Sequence, residues 1–183
     1  MLEKLLIKHC APTLAGIKTG NLFNCYINTS EELLLQLQDA NKKLSSKGIQ
    51  LEVLRIKNLN ALILAYRPKS LVRDLGKKGV DIFLKRFGYE KIDIEYAISK
   101  LKERFAAQSD FPHEIGLFLG YPFADVIGFI ENAGQNSKCV GCWKVYCDER
   151  EAIKLFDRYK KCKDVYSKMF AGGCSIMQLI VAA

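Results

Sequence analysis

The chain has 183 residues, 49% of them hydrophobic and 26% charged, with 28 basic against 20 acidic side chains and a net charge of +8. A chain of this size and make-up can bury a core of its own, and no apolar run approaches the roughly 20 residues that span a bilayer. The charge is compatible with nucleic acid, an acidic partner or an anionic ligand but selects none of them, whereas a membrane partner is excluded and a cytoplasmic location is expected.

Residues 2–10 read as a short helix with Leu2, Leu5, Leu6 and His9 on one face, stopped by Pro12. Charges interrupt its apolar positions, unlike the unbroken core of a signal peptide. Residues 17–27 read as a strand. Thr29 or Ser30 then caps a helix, with Glu32 in capping-box position and Leu33, Leu37, Ala40 and Leu44 as its buried stripe. Gly48 ends it. Alternation from Ile49 to Arg55, a turn at Asn58-Leu59-Asn60 and an apolar run over 61–66 predict a β-hairpin closed by Pro68.

The middle is helical. Leu71, Val72 and Leu75, then Ile82, Phe83 and Phe87, recur at helical spacing on either side of Gly76 and Gly79. Asp93 caps an amphipathic helix carrying Ile94, Ala97, Ile98, Leu101 and Phe105. Short helices punctuated by Gly116, Gly120 and Pro122 follow over 111–132. Residues 143–146 read as a strand, and Asp148 with Glu151 opens the longest helix, with Ala152, Leu155, Phe156, Tyr159, Cys162, Tyr166 and Phe170 as its stripe. Gly172-Gly173 ends that helix, and 176–181 reads as a last strand. The order predicts an α+β fold of about five mostly antiparallel strands with helices packed on one face, beginning as a ferredoxin-like β-α-β-β unit. A single domain over 1–183 is expected, with a helical segment, 68–135, inserted between sheet strands.

Seven cysteines, an odd number, point to free thiols rather than a disulfide framework. The two histidines each have a suggestive neighbour. His9 adjoins Cys10, and an imidazole near a thiol favours the reactive thiolate, although adjacent side chains diverge by about 100° on a helix. His113 and Glu114 abut an apolar run, as a base with its neighbour or as metal ligands; alternatively Pro112 opens a helix and Glu114 steadies its first turn. Cys139-Val-Gly-Cys142 is a CxxC, able to serve as a redox pair or half a zinc site, yet it precedes a strand, and no second such pair completes it. Trp143, with Lys144 and Tyr146, offers a stacking surface or simply core. Glycine loops of the GxGxxG or GxxxxGK[ST] type, a GxSxG elbow and an HExxH helix are all absent.

Three segments resemble a family known as domain of unknown function 3793: His9-Cys-Ala-Pro-Thr-Leu-Ala-Gly-Ile-Lys-Thr-Gly-Asn-Leu-Phe23; Pro112-His-Glu-Ile-Gly-Leu-Phe-Leu-Gly-Tyr-Pro122 with Asp125-Val-Ile-Gly-Phe-Ile-Glu-Asn132; and Trp143-Lys-Val-Tyr146. Cys162, Tyr166 and the segment from Gly173 to Val181 fit as well. The resemblance implies a single-domain protein of anaerobic bacteria and directs attention to His9, Cys10, Lys18, His113, Glu114, Tyr121, Asp125 and Lys144. It carries no established activity or catalytic role.

Three functional expectations compete. A transition-metal site would draw on His9, Cys10, His113 and Cys142, since thiolate with imidazole suits zinc, iron or copper. A thiol-dependent enzyme would use Cys10 as nucleophile, His113 as base and Glu114 or Asp125 to orient it, with Lys18, Tyr121 and Lys144 binding the ligand. An adaptor for protein or nucleic acid would use the basic helices at 69–91, with seven basic residues against three acids, and 154–168, with six against two.

Overall fold

The computed structural model describes residues 2–107 and 111–182. Helix α1 (Leu2–Leu14) leads into strand β1 (Gly20–Tyr26), helix α2 (Ser30–Leu44) and the hairpin of β2 (Gln50–Lys57) and β3 (Asn60–Tyr66). Helices α3 (Pro68–Leu75), α4 (Val80–Lys85), α5 (Ile94–Ala106), α6 (Ile115–Phe118) and α7 (Phe123–Glu131) follow. A small second hairpin, β4 (Cys139–Val140) with β5 (Lys144–Val145), precedes the long helix α8 (Glu149–Ala171) and a final short one, α9 (Ile176–Leu179). Among the described residues no helix is long and apolar enough to cross a membrane.

The caps foreseen from sequence are in place. Thr29, Asp93 and Asp148 accept the backbone N–H of Glu32, Tyr96 and Glu151 at 3.2, 2.9 and 3.1 Å, each occupying one orphan donor of a helix start. In the larger sheet β3 lies between β1 and β2 and runs antiparallel to both. The parallel strands β1 and β2, joined through α2 and split by β3, are the expected β-α-β-β unit. Asn58 and Leu59 both take positive φ, 49° and 56°, the mark of a tight two-residue hairpin turn. The five strands fall into two sheets, three in this one and two in the hairpin of β4 and β5.

Helices cover both faces of the larger sheet, not one. Leu22, Leu62, Leu64 and Tyr66 point into a cluster with residues of α3 to α7, including Leu71, Leu84, Leu101 and Phe118. Phe23, Cys25, Ala61 and Ile63 point the other way, onto Leu6, Cys10 and Leu14 of α1, Leu33 and Leu37 of α2, and Leu179 of α9. The reason is visible in β3 itself: Ala61-Leu-Ile-Leu-Ala-Tyr66 has no polar alternation, as suits a strand buried on both sides. A third cluster joins the small hairpin to α8 through Trp143, Val145, Ala152 and Tyr159. The far half of α8 reaches the α1–α2 cluster with Tyr166 and Phe170.

Three boundaries differ from expectation. Helix α1 continues through Pro12 to Leu14. Proline removes one N–H there, but the last carbonyls find other donors: Pro12 O accepts from the backbone of Ile17 and Lys18, and the Arg67 guanidinium donates to Thr13 O at 2.6 Å and Leu14 O at 2.7 Å. The strand expected over 143–146 is reduced to Lys144–Val145. The strand expected over 176–181 is instead helix α9, started by a capping box in which Ser175 and Gln178 exchange side-chain-to-backbone bonds. Beyond it, Val181 donates its N–H to Leu14 O and accepts from Arg67, so this arginine ties α1 to the end of the described chain. The 68–135 segment holds α3 to α7, apart from residues 108–110, which lie outside the described residues, and the strands flanking it belong to different sheets.

Candidate functional site

The segment 111–131 is folded for close approach. Gly120, at φ +74°, reverses the chain after α6 in a conformation that side-chain-bearing residues rarely adopt, and the hydrogen bond from Tyr121 N to Gly116 O closes the turn. At Gly116 a Cβ would stand 2.8 Å from Val126, so the missing side chain lets α6 settle on α7. Asp125, in the first turn of α7, is 2% exposed. One of its carboxylate oxygens accepts the backbone N–H groups of Tyr146 (2.7 Å) and Cys147 (2.9 Å); the other accepts the indole N–H of Trp143 (2.7 Å). Burial pushes this carboxyl's pKa up, but the hydrogen bonds from Cys147, Tyr146 and Trp143 outweigh it and hold the pKa below the ordinary value. The hairpin is thereby latched onto α7. It also sits tightly against α8, since a Cβ at Gly141 would meet the Phe156 ring at 2.3 Å.

Between α6–α7 and the hairpin lies a cleft of about 370 Å³. Five rings line it: Phe111, His113, Tyr121, Phe129 and Trp143. Tyr121 and Trp143 stack at 4.9 Å between centroids, Phe156 packs edge-on with Trp143 at 4.6 Å, and His113 packs on Phe129 at 4.8 Å. Leu22 contributes from the sheet, and Val140, Gly141 and Lys144 from the hairpin. The Lys144 ammonium stands 5.9 Å from the Phe129 centroid and donates to Gly134 O at 2.7 Å.

Four of the residues singled out from sequence, His113, Tyr121, Asp125 and Lys144, thus meet in one place. Glu114, Cys10 and His9 do not join them, and Lys18 and Cys142 meet the group only through Tyr121. Glu114 turns away from His113 into the core, where it accepts from Arg104 Nε at 2.7 Å and from the Tyr89 hydroxyl at 3.4 Å; it is an internal ion-pair partner and does not orient the imidazole. Cys10 is fully buried in the cluster on the opposite face of the sheet, and burial pushes its thiol up to about 12 despite Lys18 and Lys163 nearby. His9 stacks parallel to Phe23 at 6.3 Å on that same face, its pKa lowered by burial and then by Lys8 and Lys163. Lys18 is buried, donates to Gly20 O at 2.7 Å and faces the Tyr121 ring at 5.0 Å; burial pulls its pKa down to about 8. Cys142 is exposed at the hairpin turn, where its carbonyl accepts the Tyr121 hydroxyl at 3.2 Å.

The structure does not bring Cys10 and His113 together, and among the described residues no three His, Cys, Asp or Glu side chains gather as metal ligands. All seven cysteines are free. Asp125 has both oxygens occupied by hydrogen bonds, and His113 packs against Phe111 and Phe129. Sequence reasoning overlooked Phe111, Phe129 and Gly141 as cleft residues and Arg67 and Arg104 as supports. Glycine inside a helical run at Gly128, where a Cβ would strike Tyr146 at 2.5 Å, was the legible sign that another segment crosses α7 closely.

A family model described as "Protein of unknown function (DUF3793)" matches residues 6–180. No curated protein and no solved structure matches the chain.

Proposed function

Because the chain belongs to the DUF3793 family, whose description specifies no reaction, we propose from the cleft itself that the protein binds a small, flat molecule with an apolar body. The observation that carries this reading is the ring-lined wall beside α6 and α7: five aromatic side chains, two of them stacked on each other, around about 370 Å³ of space. That volume falls within the usual range for small-molecule sites, which are concave, mostly apolar and carry a few placed polar groups. Aromatic rings favour offset or edge-on contact with other rings, which selects planar ligands over branched aliphatic ones.

Trp143 is the sole tryptophan of the chain and lines the cleft, so its emission reports occupancy directly. Titration with fused-ring aromatic probes is expected to change Trp143 emission saturably, with the heat of binding following the same isotherm. Phe129→Ala should weaken binding about tenfold or more by removing a ring from the wall, with the circular dichroism spectrum unchanged. A panel of such probes that gives no saturable response would discard the reading.

A further inference from the structure

The polar atoms of the cleft are unequal, and their inventory says what the ligand's polar end is. Among the described residues the lining contains one carboxylate, Asp125, and its oxygens are engaged: one takes two backbone N–H groups and the other takes the Trp143 indole. The Tyr121 hydroxyl is committed as a donor to Cys142 O. Two groups remain. Lys144 uses one of its three N–H bonds on Gly134 O and forms no ion pair among the described residues. The His113 side chain makes ring contacts with Phe111 and Phe129, at 5.5 and 4.8 Å, and no hydrogen bond among the described residues.

Lys144 and His113 flank the same ring, Phe129. The cleft therefore has an aromatic body and one end that supplies donors. Such an end stabilises an anion and disfavours a cation, because among the described residues the half-buried Lys144 has no counter-charge that a second cation could share. From this we infer that the ligand is an aromatic acid, its anionic group held between Lys144 and His113 and its ring system lying along Phe129 and the Tyr121–Trp143 stack. The chain's net charge of +8 acts in the same direction, concentrating anions at its surface. The inference rests on the cleft being a binding site for a flat molecule and adds the charge and the end at which it sits.

The test compares 2-naphthoate with its neutral isostere 2-naphthamide on the full chain at low ionic strength, by calorimetry and Trp143 emission. Naphthoate is expected to bind about tenfold tighter, the effect of one charge-assisted hydrogen bond in place of a neutral one. Lys144→Gln should erase that preference, lowering naphthoate affinity far more than that of the amide. Lys144→Arg should retain the preference, and His113→Gln should reduce it without touching the Gly134 contact. Equal affinity of the two probes for the unaltered protein, or a preference that survives Lys144→Gln, overturns the anionic assignment while the cleft reading stands. Failure of both probes to bind removes the cleft reading and this inference with it.

Discussion

The indole N–H of Trp143 donates to the Asp125 carboxylate across 2.7 Å, and this bond crosses from the small hairpin to helix α7. The same carboxylate holds the backbone amides of Tyr146 and Cys147. Removing it strands three donors in a buried place. Asp125→Ala is expected to cost about 3 kcal/mol of folding stability, as for loss of hydrogen bonds to a buried charge, measured by urea unfolding. Trp143 emission should shift to the red in the folded variant. An unchanged unfolding midpoint would mean that packing alone holds the hairpin.

Acid should act through the same group. The pKa of Asp125 is lowered from 3.8 in the folded protein, so the unfolded chain takes up this proton more readily than the native one. Its contribution to stability is accordingly full above pH 3.8 and is lost as pH falls through the folded value. Stability measured against pH is expected to fall more steeply below 3.8 in the unaltered protein than in Asp125→Asn, which has no proton to gain there. Parallel curves would contradict this.

Arg67 offers a second test of a buried charge held by carbonyls alone. It is 3% exposed and donates to Thr13, Leu14 and Val181 carbonyls. Arg67→Met removes all three of these charge-assisted bonds and should destabilise the fold by about 3 kcal/mol. Arg67→Lys should recover little of it, because an ammonium cannot reproduce the planar fork. Thermal and chemical unfolding of the two variants decide the point.

At Leu59 a leucine occupies a left-handed turn position, φ 56°, with its side chain 57% exposed. Leu59→Gly creates the Asn-Gly pair that such hairpins favour and relieves about 1 kcal/mol of backbone strain. The melting temperature is expected to rise, and a fall would show that the exposed side chain packs more than its exposure implies.

Thiol reactivity should invert the order suggested by sequence. Cys10, 0% exposed and with its thiol pushed up to about 12, is expected to resist iodoacetamide until the protein unfolds, whereas the exposed Cys142 and Cys147 react first. Peptide mass spectrometry after timed labelling reads this directly. Prompt modification of Cys10 in the folded protein would restore it as a nucleophile.

Local signals carried much of the fold. Thr29, Asp93 and Asp148 cap helices because a short polar side chain before an apolar stripe has one strong use, and β3 announced its burial by lacking polar residues. What failed depended on partners distant in sequence. Pro12 does not end α1, because Arg67, just beyond β3, supplies donors to its last carbonyls. At Leu54 a bulge shifts the register, so Arg55 pairs with Leu62 and lies over Phe105, on the opposite face from Val53, which simple alternation cannot reveal. The Ser175-x-x-Gln178 capping signal was present in the chain, but the apolar run 176–181 obscured it. At the site, His113 stood out as a polar residue against an apolar run and Lys144 as the neighbour of Trp143, while Tyr121 and Asp125 drew attention through the family resemblance. Their convergence, and the separation of Cys10 from His113, follow from the sheet lying between two helical layers, a property of the assembled chain.

The hairpin that walls the cleft has two residues in each strand. Pairing so short does not sustain itself in water, so its persistence depends on the grip of Asp125 and on the rings of Trp143, Tyr121 and Phe156. The cleft wall is thus a small cooperative unit that can open while the three-stranded sheet stays intact. Solvent exchange at the Tyr146 and Cys147 amides measures that opening, and exchange in β3 measures global unfolding. A molecule bound against Trp143 slows the first by a factor that grows with the ratio of its free concentration to its Kd, which makes those two amides a gauge of ligand affinity that requires no chromophore.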